Sequence, residues 1–238
     1  MPASIRHPPA SFLDEAAAFG IGFDPGDLDR LGQFLELLLE ANRSFNLTRI
    51  TDPEDAWRRH ILDSLTLLPI IAQIGGRTLA DVGAGGGLPG IPLAIVHPGL
   101  AVTFVEATGK KARFLESAIN SLALPTARVV CERAETLGQD RETHRDHYDV
   151  VTARAVGPLR VLLELTIPLA CVGGLVIAIK GEKAETEIAE ARNALHRLHA
   201  AVETVLPTPT GRLVVVRKQR ATPKIYPRRP GEPKRDPL

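Results

Sequence analysis

Asp81-Val82-Gly83-Ala84-Gly85-Gly86-Gly87-Leu88-Pro89-Gly90 is the stretch that decides the fold of this 238-residue chain. Five glycines fall within the eight positions from Gly83 to Gly90. So many are costly in chain entropy, and a tight turn alone does not account for them; without Cβ atoms, a ligand can lie directly against the main chain. Two registers fit. From Gly85, through Gly87 and Gly90, the run reads G-x-G-x-x-G, the dinucleotide pattern that seats a pyrophosphate on a helix N-terminus. From Gly83 it reads acid-x-Gly-x-Gly-x-Gly, which suits a ligand without phosphate, with Asp81 able to reach an ammonium directly or through water.

Outward from the loop, short β-rich runs alternate with helical ones. Strands are predicted at Thr78–Val82, Ala101–Val105, Arg128–Cys131, Tyr148–Thr152, Leu175–Ile179, Ala201–Leu206 and Leu213–Arg217. Helices are predicted at Gly90–Val96, Thr108–Leu122, Leu159–Leu169 and Glu182–His199. Successive βα units argue for a parallel sheet covered on both faces. The last two runs are separated only by Pro207-Thr208-Pro209-Thr210-Gly211, too short for a crossover helix, so they must form an antiparallel hairpin. The expected fold is α/β: a Rossmann-like, doubly wound, mostly parallel seven-stranded sheet ending in that hairpin.

Before the sheet, Leu28, Leu31, Phe34, Leu35, Leu38 and Leu39 lie on one face of a helix over Asp27–Ala41. Asp52-Pro53-Glu54-Asp55 opens another, with a capping Asp, Pro in the first position and acids where the helix dipole favours them. The chain divides by this reading into an N-terminal helical appendage (1–75), a core (76–219) and a basic, Pro-rich tail (220–238) that could be extended.

Composition narrows the class. From Pro207 to Leu238 nine Lys/Arg stand against two acids, a net +7, which leaves the rest of the chain at −6. A basic end on an acidic body suggests a polyanionic partner. Met1 to Pro9 shows neither an apolar core nor a small-residue cleavage site, so no targeting segment is expected. Leu165–Ile179 is interrupted by Pro168, Gly173 and Gly174 and falls short of a membrane span. Cys131 and Cys171, in apolar surroundings, fit a reduced interior; they offer no metal spacing, and no metal is expected.

Other residues add to the loop. Glu106 at the end of the second strand can accept both ribose hydroxyls of a nucleoside. Glu132-Arg133-Ala134-Glu135 follows the third strand, where a side chain and backbone amides can meet an adenine edge. Arg154 can hold a phosphate or a guanine's acceptor edge, or else pair with Asp149 or Glu135. Lys180 must point outward from an apolar strand, toward RNA phosphate or solvent. Seven Phe, two Tyr and one Trp are too few for broad stacking on single strands. A nicotinamide-dependent oxidoreductase would share the loop, but Tyr148 has no Lys four residues later and no catalytic constellation is visible. A non-catalytic RNA- or ribosome-binding module stays open as the other alternative.

The chain resembles the RsmG (GidB) family of 16S ribosomal RNA guanine-7 methyltransferases. The resemblance rests on Phe45-Asn46-Leu47-Thr48, Arg59-His60-Ile61-Leu62-Asp63-Ser64-Leu65, Asp81–Pro92, Val105–Leu115, Glu132–Leu137, Thr152-Ala153-Arg154-Ala155, Ile179-Lys180-Gly181 and Tyr226-Pro227-Arg228-Arg229-Pro230-Gly231. It implies a class I methyltransferase fold and an S-adenosylmethionine site at Gly83, Leu88, Glu106, Ala134 and Glu135, with Arg154 beside it, yielding S-adenosylhomocysteine. It implies further that Arg154, Lys180, Arg212, Arg228 and Arg229 face 16S ribosomal RNA, as the 30S subunit or an assembly intermediate. A cytoplasmic monomer is expected. No proton-transfer residue is assigned, since nitrogen 7 of guanine already carries an in-plane lone pair. His60 is read as a structural hydrogen bond holding the appendage to the core.

Overall fold

A computed structural model describes residues 5–238; the first four residues of the Met1–Pro9 stretch lie outside the described residues. The elements run α1 (Phe12–Ala18), α2 (Asp27–Asn42), α3 (Pro53–Ala56), a π-helical turn (Trp57–Leu62), α4 (Asp63–Leu65), α5 (Leu68–Gln73), β1 (Thr78–Val82), α6 (Gly90–Val96), β2 (Ala101–Val105), α7 (Gly109–Ser121), β3 (Ala127–Val130) and α8 (Ala134–Leu137). There follow β4 (Tyr148–Arg154), α9 (Leu159–Thr166), β5 (Ala170–Lys180), α10 (Ala184–Glu190), α11 (Arg192–Leu198), β6 (Ala200–Pro207), β7 (Arg212–Lys218) and α12 (Glu232–Arg235). The seven strands form one sheet in the order β3-β2-β1-β4-β5-β7-β6. β1 to β5 are parallel, and β7 inserts antiparallel between β5 and β6. The expected sheet and terminal hairpin are both present.

Strand residues alternate between two apolar layers, as the two-residue period of a pleated strand requires. Leu79, Val102, Phe104, Val150, Ile177 and Val215 face a layer built from the N-terminal helices with α6 and α7. Ala80, Val82, Val105, Val151, Val176 and Val216 face α8 to α11. The N-terminal helices thus cover the sheet face that α6 and α7 leave bare. On α2, Leu31, Phe34, Leu35 and Leu38 of the predicted stripe are buried, and its outer members Leu28 and Leu39 are half-buried. Asp52 caps α3, its carboxylate accepting from the Asp55 amide at 3.0 Å.

Three expectations need correcting. The helix predicted over Glu182–His199 is two, because the chain breaks at Ala191, which is packed without exposure in the second layer. Cys131 is exposed rather than interior: it follows the edge strand β3, which has a neighbour on one side only. The tail is not extended. Tyr226 and Pro233 are buried, and the buried Arg145 donates to the carbonyls of Thr222, Pro223 and Tyr226. Residues 220–238 form a strap across the second layer. Its basic residues are partly consumed, since Arg228 donates to the fully buried Glu164; Lys218 at the end of β7, itself without exposure, meets Asp146. No helix among the described residues is long and apolar enough to cross a membrane.

Candidate active site

The strand order reverses between β1 and β4, whose chain neighbours lie on opposite sides of the sheet. In doubly wound sheets, ligands settle in the crevice beyond the carboxyl ends of the strands at that reversal. Two cavities flank it. One, of about 260 Å³, lies on the β1-β2-β3 side and is lined by Gly83, Glu106, Ala134, Glu135, Gly231 and Lys234 among others. The other, of about 380 Å³, lies on the β4-β5-β7 side, lined by Asp63, Arg154, Lys180, Glu187, Thr210 and Gly211 among others.

The glycine loop builds the partition. Gly87 takes φ of 83°, and a Cβ there would stand 2.4 Å from Ile91 Cδ1; no other residue type enters that turn without strain. A Cβ on Gly83 would stand 2.9 Å from Val156 Cγ2, so the loops after β1 and β4 touch. Asp81, fully buried at the root of the loop, accepts from the Gly90 amide at 2.9 Å and so ties the loop to the start of α6. Burial pushes its pKa up to about 7, against the pull of the Gly90 amide and Arg154. Its second oxygen, Oδ1, has no partner among the described residues. An orphaned buried polar atom is rare in native proteins and marks a place for water or ligand.

Glu106 is held from two sides in the first cavity. Its Oε2 accepts from the Gly85 amide at 3.0 Å and its Oε1 from the Thr108 amide at 2.8 Å. Each oxygen keeps a further lone pair, so the carboxylate is fixed yet able to accept again. Glu135 is shared: its Oε1 accepts from the Gly231 amide at 2.8 Å. The strap therefore walls this cavity, a contribution that pattern reading of a Pro-rich tail gave no means of finding.

Arg154 ends β4 in the second cavity. It pairs with neither Asp149, which the amides of Arg77 and Thr78 occupy, nor Glu135. Nη1 is buried and without a partner among the described residues. Burial lowers its pKa, opposed by Asp63 and Asp81. The following residue, Ala155, holds φ of 56° in spite of its Cβ, a strained turn of the kind that clusters at functional sites. Lys180 does not stand outward. Only 8 % exposed, its Nζ donates to the Gly157 carbonyl at 2.6 Å and to Glu187 at 2.7 Å. In the sheet register Arg212 sits opposite Lys180; a Cβ on Gly211 would stand 2.2 Å from the Lys180 carbonyl, which only glycine allows.

The first cavity thus gathers Gly83, Glu106, Ala134 and Glu135, while Leu88, half-buried, packs against the first apolar layer and outside its lining. Arg154 and Lys180 line the second cavity. Arg212 and Arg229 are exposed. Arg228 is partly buried and engaged: its Nε and Nη2 grip Glu164 at 2.8 and 2.6 Å, because a carboxylate buried on α9 requires a partner. His60 also differs from expectation. Its Nε2 meets Thr48 Oγ1 at 2.8 Å, within the N-terminal segment. Burial, aided by Arg154, lowers its pKa to about 4, so the ring is neutral. A polar tie between the N-terminal helices and the sheet's hairpin is made instead by Asp63, whose carboxylate accepts from the amide and hydroxyl of Thr210. Asp63 lies in the quoted block from Arg59 to Leu65, but its distant partner gave no local signal.

A doubly wound sheet with an inserted final hairpin, a glycine loop and a carboxylate at the end of β2 defines the methyltransferase class. Solved structures share the fold: an O-methyltransferase from Bacillus cereus in complex with SAH (TM-score 0.57, 17 % identity, covering 85 % of this chain and 94 % of that one), and a methyltransferase from Geobacter sulfurreducens (TM-score 0.52, 9 % identity, 79 % and 89 %). Residues 27–214 match the GidB family model, described as rRNA small subunit methyltransferase G, and the chain belongs to that family. Relatives of the same description include those of Sorangium cellulosum, 48 % identical over 93 % of this chain and 92 % of that one, and Lactobacillus johnsonii, 41 % identical over 97 % and 99 %. Family membership favours the methyltransferase over the oxidoreductase and non-catalytic readings.

Proposed function

We propose that the protein transfers a methyl group from S-adenosylmethionine to nitrogen 7 of a guanine in the 16S RNA of the small ribosomal subunit. The observation that carries the reading is the pair of cavities flanking the reversal between β1 and β4, one suited to a nucleoside and the other lined by Arg154 and Lys180 together with Asp63 and Glu187. The residues present fit the cofactor. Glu106 has lone pairs for two ribose hydroxyls, the Ala134 amide and Glu135 face the adenine side, and the open main chain at Gly83 and the orphaned Asp81 oxygen suit an amino-acid end. When bound, the cofactor supplies a methyl group on a sulfonium, electrophilic without further activation.

The protein's own part is alignment and exclusion of water. Nitrogen 7 needs no general base, and none is required of the neutral His60. Fixing two reactants in line is worth as much as roughly 7–11 kcal/mol. Arg154 stands where it can hold the RNA, but not through nitrogen 7 itself, since a donor there would occupy the lone pair that attacks. The exposed cations of the tail region, Arg212, Arg220, Lys224, Arg229, Lys234 and Arg235, suit a phosphate backbone. Acting on ribosomal RNA as a monomer in the cytoplasm completes the reading.

Incubating purified protein with labelled methyl donor and small-subunit particles, followed by mass mapping of the RNA, tests it. Label in 7-methylguanosine at one position of 16S RNA is expected. Label at another atom, or in no RNA, would overturn the assignment.

A further inference from the structure

Glu187 is a carboxylate for which the mechanism so far has no use. It projects from α10 into the wall of the second cavity and is 24 % exposed. Its Oε2 is saturated, accepting from the Leu159 amide at 2.7 Å and from Lys180 Nζ at 2.7 Å. Its Oε1 accepts no hydrogen bond among the described residues. Two charge-assisted bonds thus lock the side chain of this lining residue and leave Oε1 free to accept. Lys180 is in the complementary state: two of its three protons are spent on Gly157 and Glu187, and one is left.

We propose that this cavity receives the target guanine, and that Lys180 and Glu187 select it, Glu187 accepting from its Watson–Crick edge and Lys180 donating to its O6. The proposal rests on the guanine methyltransferase reading above and adds the residues that choose the base. Around a guanine the groups run N7, O6, N1–H and the 2-amino group: two acceptors, then two donors. The cavity wall includes Arg154 at the end of β4, Lys180 at the end of β5 and, bonded to Lys180 and to the start of α9, Glu187 on α10. With N7 turned to the reversal, where the methyl group arrives, O6 falls to the cation and the donors fall to the carboxylate. Adenine fails twice, because it places an amino donor against Lys180 and has no 2-amino group for Glu187. A guanine whose Watson–Crick edge is held by protein is not base-paired, so the target enters from a loop or is flipped from its stack.

The experiment uses the full chain and small-subunit RNA carrying either guanosine or inosine at the methylated position. Inosine keeps N7 and O6 and lacks the 2-amino group. For the wild-type protein kcat/KM is expected to fall about 10- to 100-fold on inosine, the worth of one hydrogen bond to a charged acceptor. In Glu187→Gln, where an amide donor can turn to the cavity, the guanosine rate falls and the guanosine-to-inosine ratio collapses toward one. In Lys180→Met both substrates lose rate together and the ratio stays as in wild type, since both carry O6. Cofactor affinity, measured by calorimetry, remains within about twofold of wild type in either variant, which confirms the fold and the other cavity. A ratio unchanged by Glu187→Gln would overturn the selection role while leaving the methyltransferase reading intact. Failure of the wild type to methylate guanosine at N7 would overturn that reading and this proposal with it.

Discussion

Replacing Arg228 by Ala tests the strap that residues 220–238 form over the second layer. Glu164 is without exposure on α9, and Arg228 reaches it through its amide at 2.9 Å, Nε at 2.8 Å and Nη2 at 2.6 Å. Alanine keeps only the amide bond. Removing one partner of a buried ion pair costs about 3–5 kcal/mol, because the other charge is stranded away from water. The strap has an escape: by lifting, it returns Glu164 to solvent, so the loss cannot exceed the free energy with which the strap docks. Two readouts separate these responses. Urea unfolding reports the total loss, and hydrogen exchange over 220–238 reports lifting. A lifted strap also withdraws the Gly231 amide from Glu135 and Lys234 from the first cavity, so cofactor affinity should fall with it. The double variant Glu164→Leu/Arg228→Met should recover most of the stability, since a packed apolar pair commonly replaces a buried ion pair without loss. A cost for Arg228→Ala below about 1 kcal/mol, the range of exposed pairs, with strap exchange unaltered, would refute the reasoning.

Asp81 should leave a mark on stability against pH. Burial raises it from 3.8 to about 7, so between these values the folded chain keeps a proton that the unfolded chain has lost; its contribution to stability declines as pH rises from about 4 and is fully lost above about 7, by at most about 4 kcal/mol. Asp81→Asn should flatten that decline in urea titrations from pH 4 to 8, and a variant retaining the full slope would count against the assignment. Gly87→Ala should cost about 1–3 kcal/mol from its positive φ, with more from the contact at Ile91, read as a lower melting temperature; an unchanged melting temperature would contradict the loop geometry. Arg154→Ala should leave the far-ultraviolet circular dichroism of wild type and reduce RNA methylation at least 100-fold, whereas near wild-type turnover with labelled donor would remove Arg154 from the site.

Local pattern carried the sheet and part of the candidate site's lining. The strand runs, the glycine loop, Glu106 and the hairpin all express constraints that act within a few residues: a two-residue period, a backbone that must take positive φ at Gly83 and Gly87, and a connection too short to cross over. The α2 stripe and the Asp52 cap were legible for the same reason. The order of strands was not, since β4 beside β1 and β7 between β5 and β6 depend on which faces find cover.

What the sequence by itself determined is therefore the list of elements and the make-up of the loop: alternating strands and helices, closed by a hairpin, with a glycine-rich turn after β1 and an acid after β2. What only the tertiary structure decided is which charges are free. Arg228, Arg229 and Lys180 look alike in sequence, yet Arg228 is taken by Glu164, Arg229 stands in solvent, and Lys180 is turned inward by Glu187. The physical reason is that a charge's availability depends on the burial and partners supplied by distant segments, and desolvation has no local signature. Asp63 meeting Thr210, and a basic tail walling the cavity beside Glu106, are consequences of packing that no window of neighbouring residues contains.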